Sequence, residues 1–181
     1  MKKFLFLIIL YFIFTTFTFA QEITPIPLEC SLDLYEGTWK YENTGTKEVF
    51  IIKLKKFDNY IGFSNHGTVI IGEYSYTKNN ITIHDSLNNL QYVVSNDDAF
   101  YSSIFGQGDH KNKIYNKLQI WVSDRTYIKL ISGTLKYALS RFDQTLIWQI
   151  AENEKGDFDV GPDYVEGVSI PTKAILIKVE E

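Results

Sequence analysis

The sequence predicts an all-β fold: a single antiparallel meander closing as a β-barrel of about eight to ten strands. Three observations carry this. From Trp39 onward the apolar runs are short, rich in β-branched and aromatic residues, and separated by turn residues. Several runs alternate strictly, with Phe50, Ile52 and Leu54 on one face and Lys53 and Lys55 on the other, as in strands with one buried side. Beyond the first twenty residues, no stretch of a dozen carries a helical period. Two stacked sheets are the alternative architecture. Sequential hairpins favour closure, which removes exposed edges, and a single cysteine, Cys30, provides no intramolecular disulfide to join two sheets.

Taken in order, the chain opens with Met1-Lys2-Lys3, an apolar run FLFLIILYFIFTTF, and small residues ending at Ala20. This is the pattern of a secretory signal, and the run is shorter than a spanning helix wants. Residues 1–20 are therefore expected to be a signal peptide, 21–36 an N-terminal segment with one helical turn near Ser31–Glu36, and 37–181 the barrel. The mature chain is expected to be exported, to the periplasm or beyond. Strands are expected at Val49–Lys56, Thr68–Thr77, Ile81–Asp85, Leu90–Ser95, Lys117–Ser123, Thr126–Ser132, Leu135–Phe142, Thr145–Glu152 and Ala174–Glu180. A short strand is also expected within Phe100–Phe105. Asn43-Thr44-Gly45, Lys78-Asn79-Asn80, Ser123-Asp124-Arg125, Ser132-Gly133 and Asp143-Gln144 read as turns. The two long connections, Asn96–Asn116 and Asn153–Thr172, are where function in a small β-domain concentrates.

The balance of 18 basic and 22 acidic residues, with net charge −4, contains no basic block and argues against nucleic acid as a partner. Loss of Lys2 and Lys3 would make the mature chain more acidic still. No motif implies a cofactor.

Gly37-Thr38-Trp39-Lys40 resembles the opening strand of the lipocalin-like barrels. The wider chain is similar to a family of small secreted Bacteroidetes proteins of unknown function, through GTWKY, GEYSYTKNN, LIWQI and SIPTKAILIKVE. The resemblance implies that Gly37 and Trp39 close one end of the barrel, with an arginine packed on the indole. The last run, AILIKVE, has no arginine, so the resemblance leaves that role to Arg141 or Arg125 on earlier segments.

Candidate chemistry is sparse. His66, His84 and His110 lack metal-site spacing. Asp157, Asp159, Asp163 and Glu166 place hard oxygen donors close together, as calcium prefers, but Gly161, Pro162 and Val168 break the EF-hand pattern, so a solvated turn is the expectation. Ser102, Ser103, His110, Asp97 and Asp98 supply triad residue types without triad spacing, and no catalysis is expected. Phe100, Tyr101 and Phe105 are the candidate ligand or contact residues, being apolar on a long connection.

The functional expectation is binding of a small apolar or amphipathic ligand at the open end of the barrel. The alternative is a solid-core envelope or extracellular interaction module acting through its loops. The inward-facing set decides between them: small residues such as Gly62, Gly72 and Ala138 would leave room, and aromatic layers would not.

Overall fold

The computed structural model of the chain describes residues 32–61, 66–91, 102–109, 114–127, 129–139, 143–151 and 167–179, with backbone alone at 59–61, 66–67, 108–109 and 114–116. Among these residues a 3-10 helix, Leu32–Tyr35, precedes nine strands. These are β1 Gly37–Asn43, β2 Glu48–Ile61, β3 His66–Lys78, β4 Ile81–Asp85, β5 Ile104–Asp109, β6 Ile114–Asp124, β7 Lys129–Leu139, β8 Gln144–Ile150 and β9 Lys173–Val179.

Every pairing is antiparallel. The circuit β1-β2-β3-β5-β6-β7-β8-β9 returns to β1 and closes as an eight-stranded barrel, with β4 outside it. The barrel, not the sandwich, is the architecture. β3 makes this possible by sharing one edge between two strands: β5 pairs with Ile70–Gly72 and β4 with Ser75–Lys78. Asn79 and Asn80 take φ of 52° and 62°, the left-handed geometry a two-residue hairpin needs, so the β3–β4 turn follows directly from Asn-Asn.

Three sequence expectations change. Ser132-Gly133 is not a turn: it lies inside β7, which runs unbroken, with Gly133 opposite Ile120 and Ile150. A Cβ there would stand 2.6 Å from both the Gln149 carbonyl oxygen and Ile150 Cγ2, so this glycine serves close approach of β8 rather than chain reversal. The strand expected from Leu90 is instead a helical turn at 89–91, and Leu90 packs on Val69 and Ile71 outside the barrel. The remainder of that run lies outside the described residues. The strand expected within Phe100–Phe105 starts later, at Ile104.

Alternation then fixes the core. Phe50, Ile52 and Leu54 of β2, Ile70 and Tyr74 of β3, Ile120 of β6, Leu135 of β7, Trp148 of β8 and Leu176 of β9 are all buried together. Gly72 leaves no room: an added Cβ would lie 2.5 Å from Leu54 Cδ2. Ala138 alternates with inward Tyr137 and so faces outward, beside Thr145. Gly62 lies outside the described residues.

Candidate functional site

The base of the barrel, where β1 begins, is shut by a set of residues built around Gly-x-Trp. Gly37 has φ of 118°, a conformation side chains rarely adopt, and the next inward position is Trp39, fully buried. The Trp39 indole N–H donates to the Tyr35 carbonyl oxygen at 2.9 Å, pinning the 3-10 helix beneath the barrel. Tyr137 meets the edges of both Tyr35 and Trp39, at ring separations of 6.0 and 6.2 Å. Lys178 of β9 reaches across Gly37 and holds its ammonium 5.3 Å from the Trp39 ring. The cation on the tryptophan is thus a lysine from the last strand. Arg141, assigned this role by resemblance, lies outside the described residues, and Arg125 sits at the opposite end, in the β6–β7 turn.

That opposite end is also stoppered. Phe50 contacts Tyr74, Tyr76 and Trp148, with its ring 5.1 Å from the indole. Above them, residues 167–172 cross the opening: Ile170 is buried, Val168 packs on the core, and the Trp148 N–H donates to the Pro171 carbonyl oxygen at 2.7 Å. Asp124, wholly buried, ties this segment down. Its carboxylate accepts from the backbone N–H of Thr126, Tyr127 and Ser169 and from the Ser169 hydroxyl. Burial pushes the Tyr74 hydroxyl up to about 12, and the same hydroxyl donates to the Ser123 carbonyl oxygen. Burial and a bond to Glu48 raise Tyr76 as well, while a bond from the Thr46 hydroxyl is the main cause holding Glu48 below the usual carboxylate range.

With both ends closed, the exposed apolar surface is on the outside. β9 is apolar on both faces: Ala174 and Leu176 point inward, while Ile175, Ile177 and Val179 point outward and are 63%, 49% and 39% exposed. Ile147 of β8 stands directly opposite Ile175 and extends the strip. At the base a groove of about 780 Å³ runs around the wall from Leu90, past Lys53 and Lys55 of β2 and Thr38 of β1, to Ile177 and Val179 and then Gln144. Lys178 and Glu36 line its lower rim, and Glu36 is held by accepting the Lys56 backbone N–H.

The sequence-predicted site residues fare unevenly. Gly37 and Trp39 stand where β1 enters the barrel, with Trp39 wholly buried. Phe105 is a strand residue, not a loop residue; it faces outward and packs beside Trp121 at 6.0 Å and against the Val69, Ile71 and Leu90 cluster. Phe100 and Tyr101 lie outside the described residues, as do His110, Asp97, Asp98, Asp157, Asp159, Asp163 and Glu166. Ser102 and Ser103 are buried: Ser102 donates to the Ile104 carbonyl oxygen, and Ser103 binds the buried Glu73 through its hydroxyl and its N–H. Among the described residues no group of three or more His, Cys, Asp or Glu is placed to hold a metal. Sequence reasoning missed Lys178 by seeking only arginine. It also missed the β9 strip, whose signal was the doubly apolar AILIKV.

Compared with known proteins, the chain matches, over residues 1–179, the family model described as a family of unknown function, DUF6705, and it belongs to that family. No curated protein and no solved structure matches it.

Proposed function

We propose, taking this family membership as the premise, that the protein is an exported, non-catalytic interaction module: a solid barrel that works through its outer face. The observation that carries the reading is the contrast between inside and outside. Trp39 with Tyr137 at the base, and Phe50 with Tyr74, Tyr76 and Trp148 toward the other end, pack into one buried core, and the 3-10 helix and residues 167–172 stopper its ends. Meanwhile β9 presents Ile175 and Ile177 to solvent, beside a groove of ligand-pocket size. Singly exposed apolar side chains such as Leu130 are ordinary, but a contiguous row of them supports a contact surface. The signal-like N-terminus supports export, which is part of the same proposal.

The test is native mass spectrometry on the mature chain from its host's envelope fraction, run beside an Ile175→Glu/Ile177→Glu variant. The expected result is a protein-sized adduct on the parent chain that the variant loses while keeping its melting temperature. A small-molecule adduct carried equally by both forms would restore the interior-carrier reading and overturn this one.

A further inference from the structure

We propose that the outer face centred on β9 docks an acidic, amphipathic polypeptide segment of a partner protein; this rests on the outer-face reading above. The register shows why. One row across the outside runs Lys53, Thr38, Val179; the next runs Ile51, Lys40, Ile177, Thr145; a third runs Ile175, Ile147, Lys136, Lys117. The isoleucine strip is therefore bordered by lysines on both sides, with Lys55 and Lys173 extending the border along β2 and β9. Among the described residues the carboxylates near these rows are already engaged or peripheral: Glu42 is bridged to Lys40, Glu73 opposite Lys53 is buried and accepts from Ser103, and Glu36 and Asp143 stand at the groove's rims. Among the described residues, a chain whose total charge is −4 thus places lysines on both sides of its exposed apolar strip. That arrangement is complementary to an apolar ridge flanked by Asp and Glu.

Geometry narrows the partner further. β9 is paired on both sides, with β1 and with β8, so a guest cannot add to it as a strand and must be held through side chains. From Ile175 to Val179 the strip is about 13 Å long. A helix laid on it would match with about nine residues, its apolar positions recurring at i, i+4 and i+7. A single-chain lipid fits less well, because small ligands are held by burying most of their surface and Ile175, Ile177 and Val179 stand exposed on the outer wall.

Two synthetic helical peptides with the same leucine ridge, one flanked by glutamate and one by lysine, provide the probes, with fluorescence anisotropy on the mature chain as the readout. The glutamate-flanked peptide is expected to bind saturably, less tightly as salt rises, and about tenfold or more weakly to Ile175→Glu/Ile177→Glu and to Lys55→Glu/Lys136→Glu. The lysine-flanked peptide is expected not to bind. Equal binding of both peptides, or of neither, overturns the proposal. So does binding to phosphatidylglycerol vesicles that requires Ile177 when the peptides fail, since that would make a lipid surface the occupant. If the peptides fail but the native-mass adduct still requires Ile175 and Ile177, the acidic partner falls and the outer-face reading stands. If the adduct survives the isoleucine changes, both fall.

Discussion

Substituting Gly37 by alanine tests the closure of the base most directly. At φ of 118° the new side chain is strained whatever space surrounds it, a cost on the order of 1–3 kcal/mol. The added Cβ would also stand 3.0 Å from Lys178 Cε. Because that atom belongs to the far end of a flexible side chain, it swings aside cheaply, but the ammonium then leaves the Trp39 ring, forfeiting about 0.5–1 kcal/mol. The two together give about 1.5–4 kcal/mol, or roughly 3–16 °C in Tm for a chain of this size. The assay is urea unfolding followed by tryptophan emission on the parent, Gly37→Ala, Lys178→Ala and the double variant. Because Lys178→Ala already removes the contact, Gly37→Ala should cost about 0.5–1 kcal/mol less in that background. Parent-like stability of Gly37→Ala would refute the strain argument. Strict additivity would show that Lys178 does not sit on Trp39 in solution.

Three further outcomes are expected. Asp124→Ala leaves the N–H groups of Thr126, Tyr127 and Ser169 without their carboxylate and should cost about 3 kcal/mol, with a red shift in tryptophan emission as water reaches Trp148; an unshifted spectrum would mean residues 167–172 do not depend on Asp124. Tyr74 has its hydroxyl raised to about 12, above the unfolded value near 10, so its share of stability is complete below about pH 10 and is lost as pH rises from there through about 12. That share is about 2 kcal/mol, and Tyr74→Phe should flatten the alkaline fall in stability measured by pH-dependent urea melts; a fall of unchanged steepness would exclude Tyr74 as its source. Gly133→Ala drives a Cβ into the Gln149 carbonyl oxygen, a backbone atom that cannot swing away, and should cost about 3 kcal/mol or more by thermal melt, so tolerance of the alanine would mean β7 and β8 are less closely packed than described.

The barrel was legible because period-two alternation is a local signal. Phe50, Ile52 and Leu54 announce an inward face wherever the strand sits. Gly133 misled because glycine carries the same sequence signature whether the chain turns or a neighbouring backbone comes close, and only the β7–β8 pairing distinguishes the two. Leu90 misled for the opposite reason: LQYVVS has strand composition, yet Leu90 is placed on a helical turn where it covers Val69 and Ile71 on the outside of β3. The site was harder still. That Lys178 lies over Trp39 depends on β1 pairing with β9 at Trp39 opposite Lys178, a contact between the first and last strands that no local window contains.

The β9 strip shows what a close reading of alternation yields once closure is established. In a closed barrel whose interior is filled, each strand has one face in the core and one in water, so its outward positions should read polar. β2 obeys below its midpoint, with Lys53 and Lys55 outward; β9 does not, since AILIKV is apolar on both faces through Leu176. Before the fold is fixed, a doubly apolar run reads as a strand buried on both sides, as in a parallel sheet covered by helices. Here no second layer covers β9 among the described residues: Ile175 and Ile177 remain 63% and 49% exposed. The hydrophobic demand written into the strand is thus larger than the fold alone satisfies. At the base, Trp39 of the Gly-x-Trp opening is wholly buried against Tyr35 and Tyr137, so the apolar surface that the described core leaves uncovered on β9 lies on the outside.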